Sequence, residues 1–149
     1  MADFSTAASA AGVISLGIQV CQGLVSYCNA WKSYDEDISN AAEKLTGLRL
    51  TLETLRDILP KVESSNSSAL PVLQAVYRQI SSSNIGLDSL HAALTRFQSY
   101  GSPTSFRESL RKFKQQSLFP FKKDSLKELQ DTVTGLQANL GSAVQVLGM

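Results

Sequence analysis

The sequence predicts an all-α fold, a compact helical bundle of four to five helices with a charge-free N-terminal helix. Three observations carry that expectation. Apolar residues recur at three- and four-residue spacing through most of the chain, two segments keep a seven-residue apolar repeat, and Pro or Ser-rich clusters separate the periodic segments. At 149 residues, with 43% hydrophobic and 18% charged side chains, the chain fits one globular domain over residues 1–149 with a substantial core.

The first element is the most unusual. Between Asp3 and Lys32 there is no charged residue, and about 28 residues in helical form reach about 42 Å, more than a bilayer's hydrocarbon core requires. Val13, Leu16, Val20, Leu24, Tyr27 and Trp31 follow helical spacing on one side. Ser15, Gln19, Gln22, Ser26 and Asn29 follow it on another. That pattern describes an amphipathic helix without charges, most often the first or central helix of a soluble bundle, with the sharper alternative of a helix that packs in one state and enters lipid in another. Small residues such as Ala8, Gly12 and Gly17 permit close helix approach, and neutral polar side chains are tolerable in a bilayer where Asp, Glu, Lys or Arg cost more. No basic region precedes the apolar part, as a secretory signal would require, and neither a myristoylation glycine nor a prenylation box is present. The expectation is therefore a cytoplasmic chain. Cys21 and Cys28, seven residues apart on one helix, lie too far apart to bridge and read as buried small hydrophobes in a reducing compartment.

A second helix is expected from Ser33-Tyr34-Asp35-Glu36, which has capping-box spacing. Its apolar face runs Ile38, Ala41, Ala42, Leu45, Leu48, Leu52, Leu55 and Leu59, with Arg49 and Arg56 near Glu53 and Asp57, and Pro60 is expected to close it to within a turn. After a polar connection over 63–68, a third helix carries Leu73, Ile80, Leu87 and Leu94, with Val76, Ser83, Leu90 and Phe97 as companions. Ser81-Ser82-Ser83-Asn84 and Gly86 predict a kink or break in its middle.

From Gly101 to Lys123 the chain changes character. Arg107, Arg111, Lys112, Lys114, Lys122 and Lys123 face a single acid, Glu108, and are interleaved with Phe106, Phe113, Phe119 and Phe121. A short amphipathic helix ended by Pro120 fits this run. Its Phe residues either plug the bundle end or its charges contact anionic lipid headgroups; a net charge of +1 and the lack of a helix-turn-helix, finger or RNP signature argue against nucleic acid. The last helix, starting near Asp124-Ser125, sets Leu126, Val133, Leu140 and Leu147 seven apart, with Leu129, Leu136 and Ala143 between them, a seam that requires a partner helix. The pattern still runs at Gly148-Met149, as in a helix that leads into a further domain.

Chemistry is sparse. His91 has no Ser, Cys or carboxylate placed by spacing to work with it, one His and two Cys do not make a metal site, and no Gly-rich phosphate loop occurs. The expectation is no enzyme, no catalytic residue, no cofactor and no metal.

Ala8-Ser9-Ala10-Ala11-Gly12-Val13-Ile14-Ser15-Leu16 behind Asp3, and Leu110-Arg111-Lys112-Phe113-Lys114 leading through Phe121-Lys122-Lys123-Asp124 into a leucine-spaced helix, resemble the HeLo-like N-terminal domains of fungal NLR-type STAND proteins. The resemblance covers nearly the whole chain. It implies a cell-death execution domain, similar to the HeLo domains of heterokaryon-incompatibility proteins and more distantly to the four-helix domain of the mixed-lineage kinase-like pseudokinase. In such innate-immune systems a sensor domain triggers oligomerisation, and the bundle moves from cytoplasm to plasma membrane and forms pores. Carried over by position, membrane insertion falls to Phe4, Val13, Ile14, Leu16, Ile18, Val20 and Leu24, and anionic-lipid contact to Arg107, Arg111, Lys112, Lys114, Lys122 and Lys123. The implied partners are anionic lipids, further copies of the chain and a regulatory domain C-terminal to or separate from it. The competing expectation is a non-lytic helical adaptor that recruits proteins through the final helix's seam and never meets lipid.

Overall fold

The computed structural model describes residues 2–31, 36–65, 70–98 and 123–148. These form five helices, α1 (Ala2–Trp31), α2 (Glu36–Ser65), α3 (Leu70–Ser82), α4 (Asn84–Gln98) and α5 (Lys123–Gly148), with no strand among the described residues. The expected all-α bundle is the observed one. Because α3 and α4 are parted by Ser83 alone, they act as one broken rod, and the described residues form four rods. α1 packs chiefly on α2 and also on α4 and α3, whereas α5 packs on α2, α3 and α4. α1 and α5 therefore occupy opposite corners.

α2 is held by the face its spacing predicts: Ile38, Ala41, Ala42, Leu45, Leu48, Leu52, Leu55 and Leu59 are all buried. Glu36 and Asp37 in its first turn favour the positive end of the helix dipole. Thr46, Thr51 and Thr54 each donate to the carbonyl four residues back, at 2.8, 3.1 and 2.8 Å, so their hydroxyls are satisfied within the helix. On the outer side Arg49 pairs with Glu53 at 3.5 Å and Arg56 with Asp57 at 3.3 Å. Pro60 does not close the helix, which continues to Ser65. The proline forfeits one backbone bond, to the Arg56 carbonyl, at an exposed position. Leu59 stays buried and Val62 packs on the core beyond it, so burial outweighs the missing bond.

The break within the third rod falls where the serine run places it. Ser83 is the buried polar residue of the core, only 2% exposed. Its hydroxyl donates to the Gln79 carbonyl at 2.9 Å, and its amide is shared between the Gln79 and Ile80 carbonyls at 3.2 and 3.1 Å. From the adjacent α5, Asn139 Nδ2 reaches Ser83 Oγ at 2.8 Å and the Gln79 carbonyl at 2.9 Å. One α5 side chain thus adds a donor to a buried polar cluster whose members also bond within the third rod, tying α5 to the break.

α5 starts at Lys123, so Ser125 falls inside its first turn instead of preceding it. Leu126, Leu129, Val133, Leu136, Leu140 and Ala143 are buried against the other rods, which means the chain itself fills this seam. Gln137 donates to Thr51 Oγ1 at 2.7 Å and Gln130 to the Asp37 carbonyl at 3.2 Å, fixing α5 along α2.

Candidate membrane-engaging helix

α1 buries a sector wider than a single stripe. Ala10, Ile14, Ile18, Val20, Cys21, Leu24 and Cys28 are buried, and Val13, Leu16, Val25 and Tyr27 pack partly exposed against the same core. The expected stripe on Val13, Leu16, Val20 and Leu24 is therefore corrected: its buried centre is turned toward Ile14, Cys21 and Cys28. The cause is the helix's corner position, where α2 covers one flank and α3 with α4 the other. The opposite face is as expected, with Ser15, Gln19, Gln22, Ser26 and Asn29 all exposed.

Close approach depends on two glycines. A Cβ on Gly17 would lie 2.9 Å from Leu52 Cδ1 and 3.2 Å from Leu87 Cδ1, and one on Gly23 would lie 2.7 Å from Leu94 Cδ2. Gly12 has nothing within 4 Å. At the far end Tyr27 stacks on Phe97 with ring centroids 5.8 Å apart, and the Arg96 guanidinium lies 5.6 Å above the same Phe97 ring. Burial pushes both thiols up from 9.0 to about 12, against which Arg49 offers Cys21 a smaller opposing pull. Both cysteines are free and neutral, as small hydrophobes are.

Between α1 and α2 an apolar cleft of about 350 Å³ is lined by Ile14, Ile18, Leu59 and Pro60, with Ser15, Gln19, Arg56 and Glu63 also bordering it. Glu63 accepts a hydrogen bond from the Tyr77 hydroxyl, which ties α3 to the end of α2. His91 is exposed on α4. Among the described residues no three His, Cys, Asp or Glu side chains are grouped to hold a metal ion.

Of the residues assigned to insertion, Ile14, Ile18, Val20 and Leu24 are buried together, with Val13 and Leu16 at the margin of the same face. Phe4 lies in the first turns of α1, and its side chain is outside the description. Arg107, Arg111, Lys112, Lys114 and Lys122 lie outside the described residues, while Lys123 opens α5 without a described side chain. α1 is long and apolar enough over Ala10–Ala30, 21 residues, to cross a membrane, a length criterion that core helices of soluble proteins also meet. The Asn139 clamp was not legible in the sequence, because a single Asn on a polar-looking face carries no signal of its own.

No family model matches the chain, and no solved structure matches it. It is 24% identical over 140 residues to the azaphilone pigments biosynthesis cluster protein L of the fungus Monascus ruber, an alignment covering 94% of this chain and 29% of that protein. The chain thus spans less than a third of the fungal relative's length.

Proposed function

We propose that this domain is a membrane-targeting, pore-forming-type cell-death execution module of HeLo type, belonging to a fungal NLR-like immune or incompatibility system. In this reading α1 inserts into the plasma membrane after oligomerisation. The observation that carries it is a helix of spanning length that has no charge from Phe4 to Trp31 yet exposes one whole face to water. Solubility alone does not require that neutrality; transfer into hydrocarbon does.

The corner position supports the mechanism. When α1 leaves, α5 still joins α2 to the α3–α4 rod, so three rods remain in contact. α1 exchanges protein contacts for lipid of similar polarity, and the cost falls on what it uncovers, including Leu52, Leu87 and Leu94 beside Gly17 and Gly23. Each such apolar side chain contributes about 1.5–3 kcal/mol when covered. Many weak lipid contacts made at once by an oligomer are of the size needed to offset this. The basic segment Arg107 to Lys123 supplies the headgroup attraction, at about 1 kcal/mol per charge near an anionic surface. A sensor domain, C-terminal or separate, supplies the trigger, and the chain performs no catalytic step.

Co-sedimentation and dye release with vesicles of graded phosphatidylserine content test this, using the full chain in a form shown to be folded and self-associated. Release is expected to need anionic lipid and to fall when Arg111, Lys112 and Lys114 are replaced by Gln. Absence of binding at physiological salt would favour the adaptor reading. The α5 seam would not serve that adaptor, because α2, α3 and α4 already occupy it.

A further inference from the structure

The exposed face of α1 carries no charge at any position from Ala10 to Ala30. On α2 most of the solvent-facing positions are charged, among them Glu36, Asp37, Glu43, Lys44, Arg56 and Asp57. On α1 the same exposure is given to Ser15, Gln19, Gln22, Ser26 and Asn29. Their spacing alternates four and three, so they keep to a sector about 80° wide and about 21 Å long, or about 27 Å counting the exposed Ala11 and Gly12 one turn earlier. That length approaches the thickness of the hydrocarbon core.

Resting on the execution reading above, we infer that this stripe is the wall of a water-filled passage in the inserted oligomer, one that carries small inorganic ions with little discrimination between cations and anions. Five polar side chains cannot face lipid without partners, so in the membrane they turn either to other helices or to water. The two Gln side chains are too long for a close helix seam. The small residues Gly12, Gly23 and Ala30 run along one edge of the stripe, about 60–80° from its centre, where a neighbouring copy can approach closely. Packing at that edge leaves the Ser, Gln and Asn groups facing the shared axis and the Ile14, Val20, Cys21 and Leu24 side facing lipid. Amides and hydroxyls both donate and accept hydrogen bonds, so they solvate either sign of ion, whereas strong charge selection comes from rings of charged side chains.

The test is the reversal potential of the oligomeric full chain in planar bilayers of phosphatidylcholine and phosphatidylserine under a KCl gradient. The expected value for the unmodified chain is close to zero. Gln22→Glu is expected to move it toward the potassium equilibrium potential and Gln22→Lys toward the chloride one, a several-fold change in permeability ratio in opposite directions. Ser26→Glu and Ser26→Lys repeat this one turn away. Both positions are exposed, so thermal unfolding is expected to show the fold intact, and Lys44→Glu on α2 is expected to leave the potential unmoved. Conductance whose reversal potential ignores the α1 charges, or an unmodified chain that is strongly ion-selective, overturns the lining assignment and leaves the execution reading standing. No conductance from a sample shown to be oligomeric and membrane-bound overturns both.

Discussion

Gly17 has no room for a methyl group, because Leu52, one of its neighbours, is fully buried and has nowhere to retreat. Gly17→Ala is therefore expected to cost about 1–3 kcal/mol through overpacking, read as a lower unfolding midpoint. In the execution reading the same change loosens α1 and raises the rate of dye release. Gly12→Ala meets open space and is expected to stabilise by about 0.5–1 kcal/mol through helix propensity. Gly23→Ala falls between them, since Leu94 is only partly buried and can yield. The thiols give a pH signature. Their folded values near 12 stand above the ordinary 9.0, so the unfolded chain ionises first as pH rises. Stability from this source is full below pH 9.0 and is lost between there and about 12. Near pH 10 the two thiols together account for about 3 kcal/mol, and the drop in denaturation midpoint between about pH 8 and about pH 10 should shrink in a Cys21→Ala/Cys28→Ala variant.

Among the elements, α2 shows what local rules miss. Pro60 predicted an end because it removes a backbone donor, but Leu59 and Val62 prolong the apolar face past it and packing decides. Pro60→Ala should restore the lost bond and stabilise by up to about 3 kcal/mol, visible as a higher unfolding temperature. The apolar face of α2 was legible because charged residues mark where it stops, and those of the third rod and α5 because their leucines recur seven apart. α1 was legible as a helix and in its polar face but not in its buried centre, since an uncharged helix at a corner has two packed flanks and no charges to mark either margin. The break at Ser83 was legible from poor helix formers, whereas its repair by Asn139 required the third dimension. Asn139→Leu is expected to cost about 1 kcal/mol through loss of its hydrogen bonds to Ser83 Oγ and the Gln79 carbonyl, and hydrogen exchange should quicken at the amides of Ser83 and Leu87.

At the scale of the whole molecule, the four-rod plan makes α1 the member that can leave while the others stay joined. Cys21 and Cys28 report that departure, since both are buried against the core from which α1 would withdraw. A soluble thiol reagent should label the two cysteines together, at a common rate set by opening of α1. Gly17→Ala should raise that rate more than Asn139→Leu does, because only the first acts on α1's own contacts. Equal acceleration by both would mean that the bundle opens as one unit, and α1 would then have no independent release.

The pairing of α1 with its immediate successor in the chain also bears on synthesis. α1 emerges from the ribosome first, and its largest interface is with α2, the next helix to follow. A nascent chain that has extruded only these two helices already covers much of the apolar side of α1, while α5, whose described partners are α2, α3 and α4, is added after them. The helix most at risk of meeting a membrane or another nascent chain too early is thus the one sheltered soonest.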